Sequence, residues 1–302
     1  MLFRSKNMLS ATSTTPTAVL DETLAYLNQF EPVDDLKPTL HEQVKLSIVI
    51  PAYNERARLP QTVMSTLRYC AEQELDFELI IADDGSSDET LALARAFERQ
   101  DARIRALACP HMGKGSAVRL GMLNARGERV LFMDADGATP LHEIATLAAA
   151  LDAGNDVAVG SRVIPQSAQV EVRTSLHRRL IGRTFAFFVN LFAVQGIADT
   201  QCGFKMFRRD AALYIFSLQK LAGFAFDVEV LFIAHRLSLK IVEIPVNWAA
   251  QPGSKVNLVT DSMRMLWDIS LIRWTHRNFG AGLAARSVLP LNEAANTRTP
   301  LT

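Results

Sequence analysis

The stretch Glu128–Thr139, ERVLFMDADGAT, decides how the rest of the chain is read. Its opening is a short apolar run, VLFM, of the kind found in a strand buried on both faces. The run stops at Asp134-Ala135-Asp136 and a glycine, so ERVLFMDAD reads as a strand with two carboxylates at its carboxyl end. Toward the N-terminus, Lys114–Arg126 has helical periodicity and IRALAC (104–109) reads as a strand. SDETLALARAFERQ (87–100) opens with serine and acidic residues, a helix-start signal. FELIIADD (77–84) is a strand, Leu59–Glu74 a helix and LSIVIPAY (46–53) another strand. Toward the C-terminus, Leu141–Ala153 reads as a helix and DVAVGSR (156–162) as a strand. Strands alternating with helices of about 10–15 residues predict an α/β fold with a doubly wound, mostly parallel, Rossmann-like sheet.

Beyond Arg162 the alternation stops. A polar stretch, 163–183, leads into the apolar TFAFFVNLFAV (184–194), then DTQCGFKMFRRD (199–210) and a helix at Ala211–Leu218. GFAFDVEVLFIAHRLSL (223–239) takes no assignment, IVEIPVNW (241–248) reads as a late strand, and residues 256–277 form an amphipathic helix rich in Met, Leu and Trp. The expected organisation is a tail and linker over 1–44, with a short helix at 19–30, and a domain over 45–255. A membrane-surface helix and flexible tail follow over 256–302.

The 302 residues are 49% hydrophobic, enough for a sizeable core. Thirty-two basic residues balance thirty-two acidic ones, which excludes nucleic-acid binding through bulk positive charge. Cys70, Cys109 and Cys202 are widely spaced and odd in number, fitting neither a disulfide framework nor a zinc site, so a reducing compartment is expected. The most apolar stretch, Thr184–Ala198, is broken by Asn190 and Gln195 and falls short of the roughly 20 residues that cross a bilayer. The polar N-terminus lacks the apolar core of a secretory signal. The expected location is cytoplasmic.

Ligands of open parallel sheets bind beyond the carboxyl ends of the strands. Three strands deliver polar residues there: Pro51-Ala52-Tyr53-Asn54-Glu55, Asp83-Asp84-Gly85-Ser86 and Asp134-Ala135-Asp136. Helix capping competes as an explanation for Asp83 and Asp84 alone, but not for three converging strand ends. Residues i and i+2 of a strand share a face, so Asp134 and Asp136 can meet one hard cation, Mg²⁺ or Mn²⁺, together with substrate phosphates. His111-Met112-Gly113-Lys114-Gly115 precedes a helix and suits an anion, although the P-loop spacing is missing. Arg162, Arg173, Arg178, Arg179 and Arg183 cluster before the apolar segment. They are either a solvated face or, by the bidentate fork of arginine, a phosphate site beside a lipid surface.

PAYNE, DDGSSDET, GKGSAVRLG, LFMDADGAT, VGSR, DTQCGFKMF, FAFDVEVL and EIPVNW, in this order, resemble family 2 glycosyltransferases of GT-A fold, and more closely their dolichyl-phosphate β-glucosyltransferase branch. The resemblance runs from Lys45 to Trp274; PAYNE and DDGS mark the superfamily, DADGAT followed by DTQCGFK the branch. It implies a UDP-sugar donor, UDP-glucose foremost, with a divalent cation. Pro51, Tyr53, Glu55, Asp83 and Asp84 would hold the uridine and ribose, Lys114 would sit near the donor, and Asp134 and Asp136 would hold metal and diphosphate. The acceptor phosphate would fall to Arg162 and Arg178, with Arg179, Arg183 and Lys205 as further candidates. Related polyprenyl-phosphate transferases often place a glutamine two residues after the second metal aspartate; Ala138 stands there, beside Thr139. Eukaryotic members carry an N-terminal membrane span where this chain has a polar tail, so the expected attachment is peripheral, on the cytosolic face of a membrane.

The expected reaction is inverting transfer of glucose to a polyprenyl phosphate, with Asp136 and Arg162 as catalytic residues. A phosphate acceptor is already anionic and needs little base help. Were the acceptor a soluble or glycerolipid hydroxyl, Asp227 or Glu229 of FAFDVE would be the base; alternatively they hold the arginines in place. A catalytically silent nucleotide-sugar binder on the same fold is the third reading, disfavoured by the intact Asp-x-Asp, GKG and Arg162. Whether the chain forms a homo-oligomer is left open.

Overall fold

The computed structural model describes residues 44–163, 172–173, 196–249, 268 and 270–277. The expected helix at 19–30, the arginines Arg178, Arg179 and Arg183, the apolar segment 184–194 and most of 256–302 lie outside the described residues.

Seven strands form one sheet: β1 (Leu46–Ala52), β2 (Phe77–Asp83), β3 (Ile104–Ala108), β4 (Arg129–Met133), β5 (Val157–Ser161), β7 (Phe204–Arg208) and β8 (Ile241–Pro245). Their order is β3-β2-β1-β4-β7-β5-β8, and β6 (Val172–Arg173) pairs separately with β9 (Trp248–Ala249). Every residue of β1 and β2 is buried, as the continuous apolar runs of an interior parallel strand require.

Helices cover both faces. On one, α1 (Leu59–Glu72), α2 (Thr90–Gln100) and α4 (Glu143–Asp152) pack Leu59, Val63, Phe97 and Leu147 onto the inward side chains of β1, β2 and β4. On the other, α3 (Lys114–Leu123), α5 (Arg209–Leu218) and α6 (Phe226–Arg236) bring Val118, Phe216 and Phe226 against Val49, Phe132 and Phe207. Each such side chain contributes about 1.5–3 kcal/mol by leaving water. Ile272, in a helical segment over 270–275, joins this second core. Among the described residues, no helix is long and apolar enough to cross a membrane.

Two features depart from the sequence reading. FKMFR forms β7, antiparallel to both β4 and β5, while the other contacts of the sheet are parallel. The fourth strand also ends at Met133, so Asp134 and Asp136 lie in the turn that follows. The Ala138 amide donates to Asp136 Oδ1 at 3.0 Å, and this aspartate-led turn replaces the continued strand.

Candidate active site

The pairing of β1 with β4 ends at Val49↔Phe132, whereas β1 with β2 continues to Ala52↔Asp83. Beyond Val49 the two central strands part, opening a crevice at their carboxyl ends, where the strand order reverses. Pro51, buried in β1, lies past the last β1–β4 pair, where its missing N–H disturbs no ladder bond to β4.

On the β2 side, carboxylates are held by backbone amides. Asp84 is buried and accepts from Met112 N (3.0 Å) and Gly113 N (2.9 Å), and its Oδ2 lies 2.8 Å from His111 Nδ1. Gly113 has φ +120°, and a Cβ there would stand 2.6 Å from the Ala222 carbonyl, so only glycine permits this wrap. Asp83 accepts from Ser86 N at 3.0 Å through Oδ2, while its buried Oδ1 has no partner among the described residues and can take one further donor. The Tyr53 ring stacks on His111 with centroids 4.0 Å apart. Glu55 binds Arg58 through two bonds of 2.6 Å, and Arg58 stands at the start of α1, which Pro60 stiffens.

At the centre, Lys114 opens α3 and its Nζ lies 2.7 Å from Asp134 Oδ1. Burial works against the Lys114 charge, but Asp134, Asp227 and Asp136 outweigh it and hold the ammonium above the ordinary lysine range. Burial, then the Asp134 charge, holds Asp136 above the usual carboxylate range, with Ala138 N, Arg58 and Lys114 opposing. Gly203 is needed for contact, since a Cβ on it would fall 2.1 Å from Asp134 Oδ2. Asp134 and Asp136 offer hard oxygens and share a cavity of about 500 Å³ with Arg58, Thr139, His142 and Trp248. Among the described residues, no group of three or more His, Cys, Asp or Glu side chains is placed to hold a metal ion.

On the β5 side, charges are held by opposite charges. Arg162 follows β5 and grips Asp199 through Nε (2.7 Å), Nη2 (2.8 Å) and its own amide (2.9 Å). Burial disfavours both charges, yet each partner keeps the other ionised: Arg162 is raised and Asp199 lowered from their ordinary ranges. Asp199 N and Ala198 N donate to Glu243 of β8, fixing the pair to the sheet. The Arg162 guanidinium stands over the Trp248 ring, 5.3 Å from its centroid.

Lys205, in β7, is wholly buried, with Nζ on the Asp227 carboxylate and 2.7 Å from the Cys202 carbonyl. The structure therefore places this candidate acceptor ligand inside the protein. Asp227 is the carboxylate partner of this buried lysine. Glu229 is likewise buried, accepting from Lys220 N and Leu221 N and lying 2.7 Å from His276 Nε2. It anchors the loop behind Gly113 and the 270–277 segment. Neither carboxylate lines the cavity.

The structure thus gathers Tyr53, Glu55, Asp83, Asp84, Lys114, Asp134, Asp136 and Arg162 along one edge of the sheet. Arg58, Asp199, Gly203 and Trp248 complete that edge without having drawn a role in the sequence, and His111, read there only as part of an anion-binding loop, joins them as the partner of Asp84. Arg58 was legible only as the i+3 partner of Glu55.

The profile of glycosyl transferase family 2 matches residues 47–216. A dolichyl-phosphate beta-glucosyltransferase of Drosophila melanogaster is 36% identical over 260 residues, 81% of this chain and 79% of that protein. The Homo sapiens enzyme of the same name is 37% identical, covering 76% and 75%. Among solved structures, glucosyl-3-phosphoglycerate synthase from Mycobacterium tuberculosis in complex with Mg²⁺ and UDP superposes with a TM-score of 0.57 at 21% identity, over 76% of this chain and 79% of that one. This likeness establishes the GT-A fold.

Proposed function

The chain belongs to glycosyl transferase family 2 and is a glycosyltransferase, and on that premise we propose that it moves glucose from UDP-glucose to a polyprenyl phosphate of the dolichyl type, with inversion. The observation that carries this reading is the line Lys114–Asp134/Asp136–Trp248–Arg162, with two carboxylates and two cations beside one cavity at the switch point of the sheet.

Asp134 and Asp136 would hold Mg²⁺ or Mn²⁺. Two like charges turned into one partly buried site suit a divalent cation, and two protein oxygens leave room for phosphate oxygens and water. When bound, such a cation neutralises charge on the departing diphosphate. Lys114 adds a fixed positive charge on the same side. The unpartnered Asp83 Oδ1 offers an acceptor to the imide N–H of uracil, with the Tyr53–His111 stack nearby. Arg162, locked by Asp199, presents a preorganised cation to the acceptor phosphate; Arg178, Arg179 and Arg183 are the further acceptor candidates. An acceptor phosphate carries its own negative charge, so no protein base is required. A hydroxyl acceptor would require one, and Asp227 and Glu229 are occupied by Lys205 and by the 220–221 amides. That favours the phosphate reading. The enzyme would work peripherally at the cytosolic face of a membrane, where such acceptors lie.

The test is transfer from labelled UDP-glucose to a short polyprenyl phosphate with Mn²⁺ or Mg²⁺, and with EDTA. Label in the lipid fraction that EDTA abolishes is expected. UDP release without lipid label would overturn the acceptor, and label unchanged by EDTA would overturn the metal.

A further inference from the structure

We propose that Trp248 is a positioning residue that joins the donor and acceptor sides of the site and keeps water from the space between them. The inference rests on the acceptor role of Arg162 given above.

The indole touches both sides at once. It lines the cavity that also exposes Asp134 and Asp136, and the Arg162 guanidinium lies over its ring. Its backbone is tied at each neighbour. Ala249 N donates to Ala138 O at 3.0 Å, within the turn that carries Asp136. Asn247 donates through N and Nδ2 to Glu143 Oε1, and Val246 N to Ser161 O, next to Arg162. Trp248 itself pairs with Val172 in the β6–β9 ladder. The backbone that carries Trp248 is tied to the metal-side turn on one flank and to the strand of Arg162 on the other, so this segment links the two sides.

An ordinary core role does not account for this. Trp248 is half-buried and belongs to neither apolar core. A large flat ring walling a polar cavity fills space that water would otherwise occupy, and it holds Arg162 by cation–π attraction in addition to the Asp199 fork. Loss of the ring frees Arg162 on that side and admits water to the anomeric carbon of the donor, which breaks its bond to UDP and yields free glucose, so donor cleavage uncouples from acceptor capture.

The experiment compares wild type with W248A, W248L and W248F. It measures the KM for a short polyprenyl phosphate, UDP released per glucose transferred, UDP-glucose affinity by calorimetry, and thermal melting. For W248A an acceptor KM raised about 10-fold is expected, with several-fold more UDP per transfer and UDP-glucose affinity within about 2-fold of wild type. W248F restores most of the coupling because it keeps a π face. W248L keeps apolar bulk without that face and carries the test if W248A does not fold. Unchanged acceptor KM and unchanged coupling in W248A or W248L, with only the melting temperature lowered, would overturn the proposal. If wild type labels no polyprenyl phosphate, it is the acceptor reading that fails. Trp248 is then judged on UDP-glucose hydrolysis alone: faster hydrolysis in W248A or W248L upholds the role, and an unchanged rate overturns it.

Discussion

The two halves of the proposed site hold buried charge in different ways. On the β2 half, Asp83 and Asp84 accept from backbone N–H groups of the loops at 86 and 112–113. On the half built by β5, β7 and β8, Arg162 meets Asp199 and Lys205 meets Asp227. Amide donors offset the cost of desolvating a carboxylate and leave lone pairs for a ligand, which suits contact with a neutral base or ribose. Ion pairs keep full charges in place inside the protein, which suits a site that must meet an anion. The β2 half is therefore built from loop geometry and the β5 half from charge balance.

The largest expected effect lies at the boundary between the halves. Asp136→Asn should lower glucose transfer by about 10²–10³-fold, since it removes one of the two carboxylates proposed to hold the cation that offsets charge on the departing diphosphate. The same change should raise the melting temperature without metal, because burial and the Asp134 charge disfavour an ionised Asp136, while the turn bond from Ala138 N survives in the amide. Mn²⁺ should raise the melting temperature of wild type and not of the variant. A variant that melts lower than wild type without metal would mean that the carboxylate serves the fold.

The next effect breaks the charge-balanced half. Lys205→Ala leaves the buried Asp227 without its contacting cation, and should cost about 3–5 kcal/mol in urea denaturation. The double variant Lys205→Met/Asp227→Leu should recover most of that loss. If the double variant is as unstable as the single one, the pair is not the source of the cost.

The contrast also explains what the sequence revealed. From β1 to β5, apolar strands alternate with amphipathic helices, so these elements were legible; acids after strands marked Asp83, Asp84, Asp134 and Asp136, and the glycines before a helix marked Lys114. β7 was hidden because Lys205 and Arg208 interrupt its apolar pattern, and the partner that makes Lys205 tolerable lies on a distant helix. α6 was hidden because eight of its residues, Asp227 and Glu229 included, are buried, which leaves no polar face for periodicity to detect. Trp248 and Asp199 stood inside recognisable motifs, but their common partner Arg162 is far away in the chain; contacts of that kind are set by the fold.

The smallest expected effect sharpens the comparison with a carboxylate held in both ways. Glu78, at the opposite end of β2 from the site, is buried and accepts from Ser47 Oγ (2.6 Å) and Arg126 N (2.6 Å), and pairs with the Arg105 and Arg126 guanidinium groups. Burial alone would raise its pKa, but these four donors outweigh it and hold the carboxyl below the usual range. A depressed pKa means stability that is present above the unfolded-state value, near 4.3, and lost as pH falls through the folded-state value. Glu78→Gln should therefore cost about 1–3 kcal/mol at pH 7, and the gap to wild type should close below about pH 4. Transfer activity should be unchanged, because the residue lies a whole strand away from the crevice. A gap that persists at low pH would assign the loss to packing, and the ionised form of Glu78 would then contribute nothing that its amide does not.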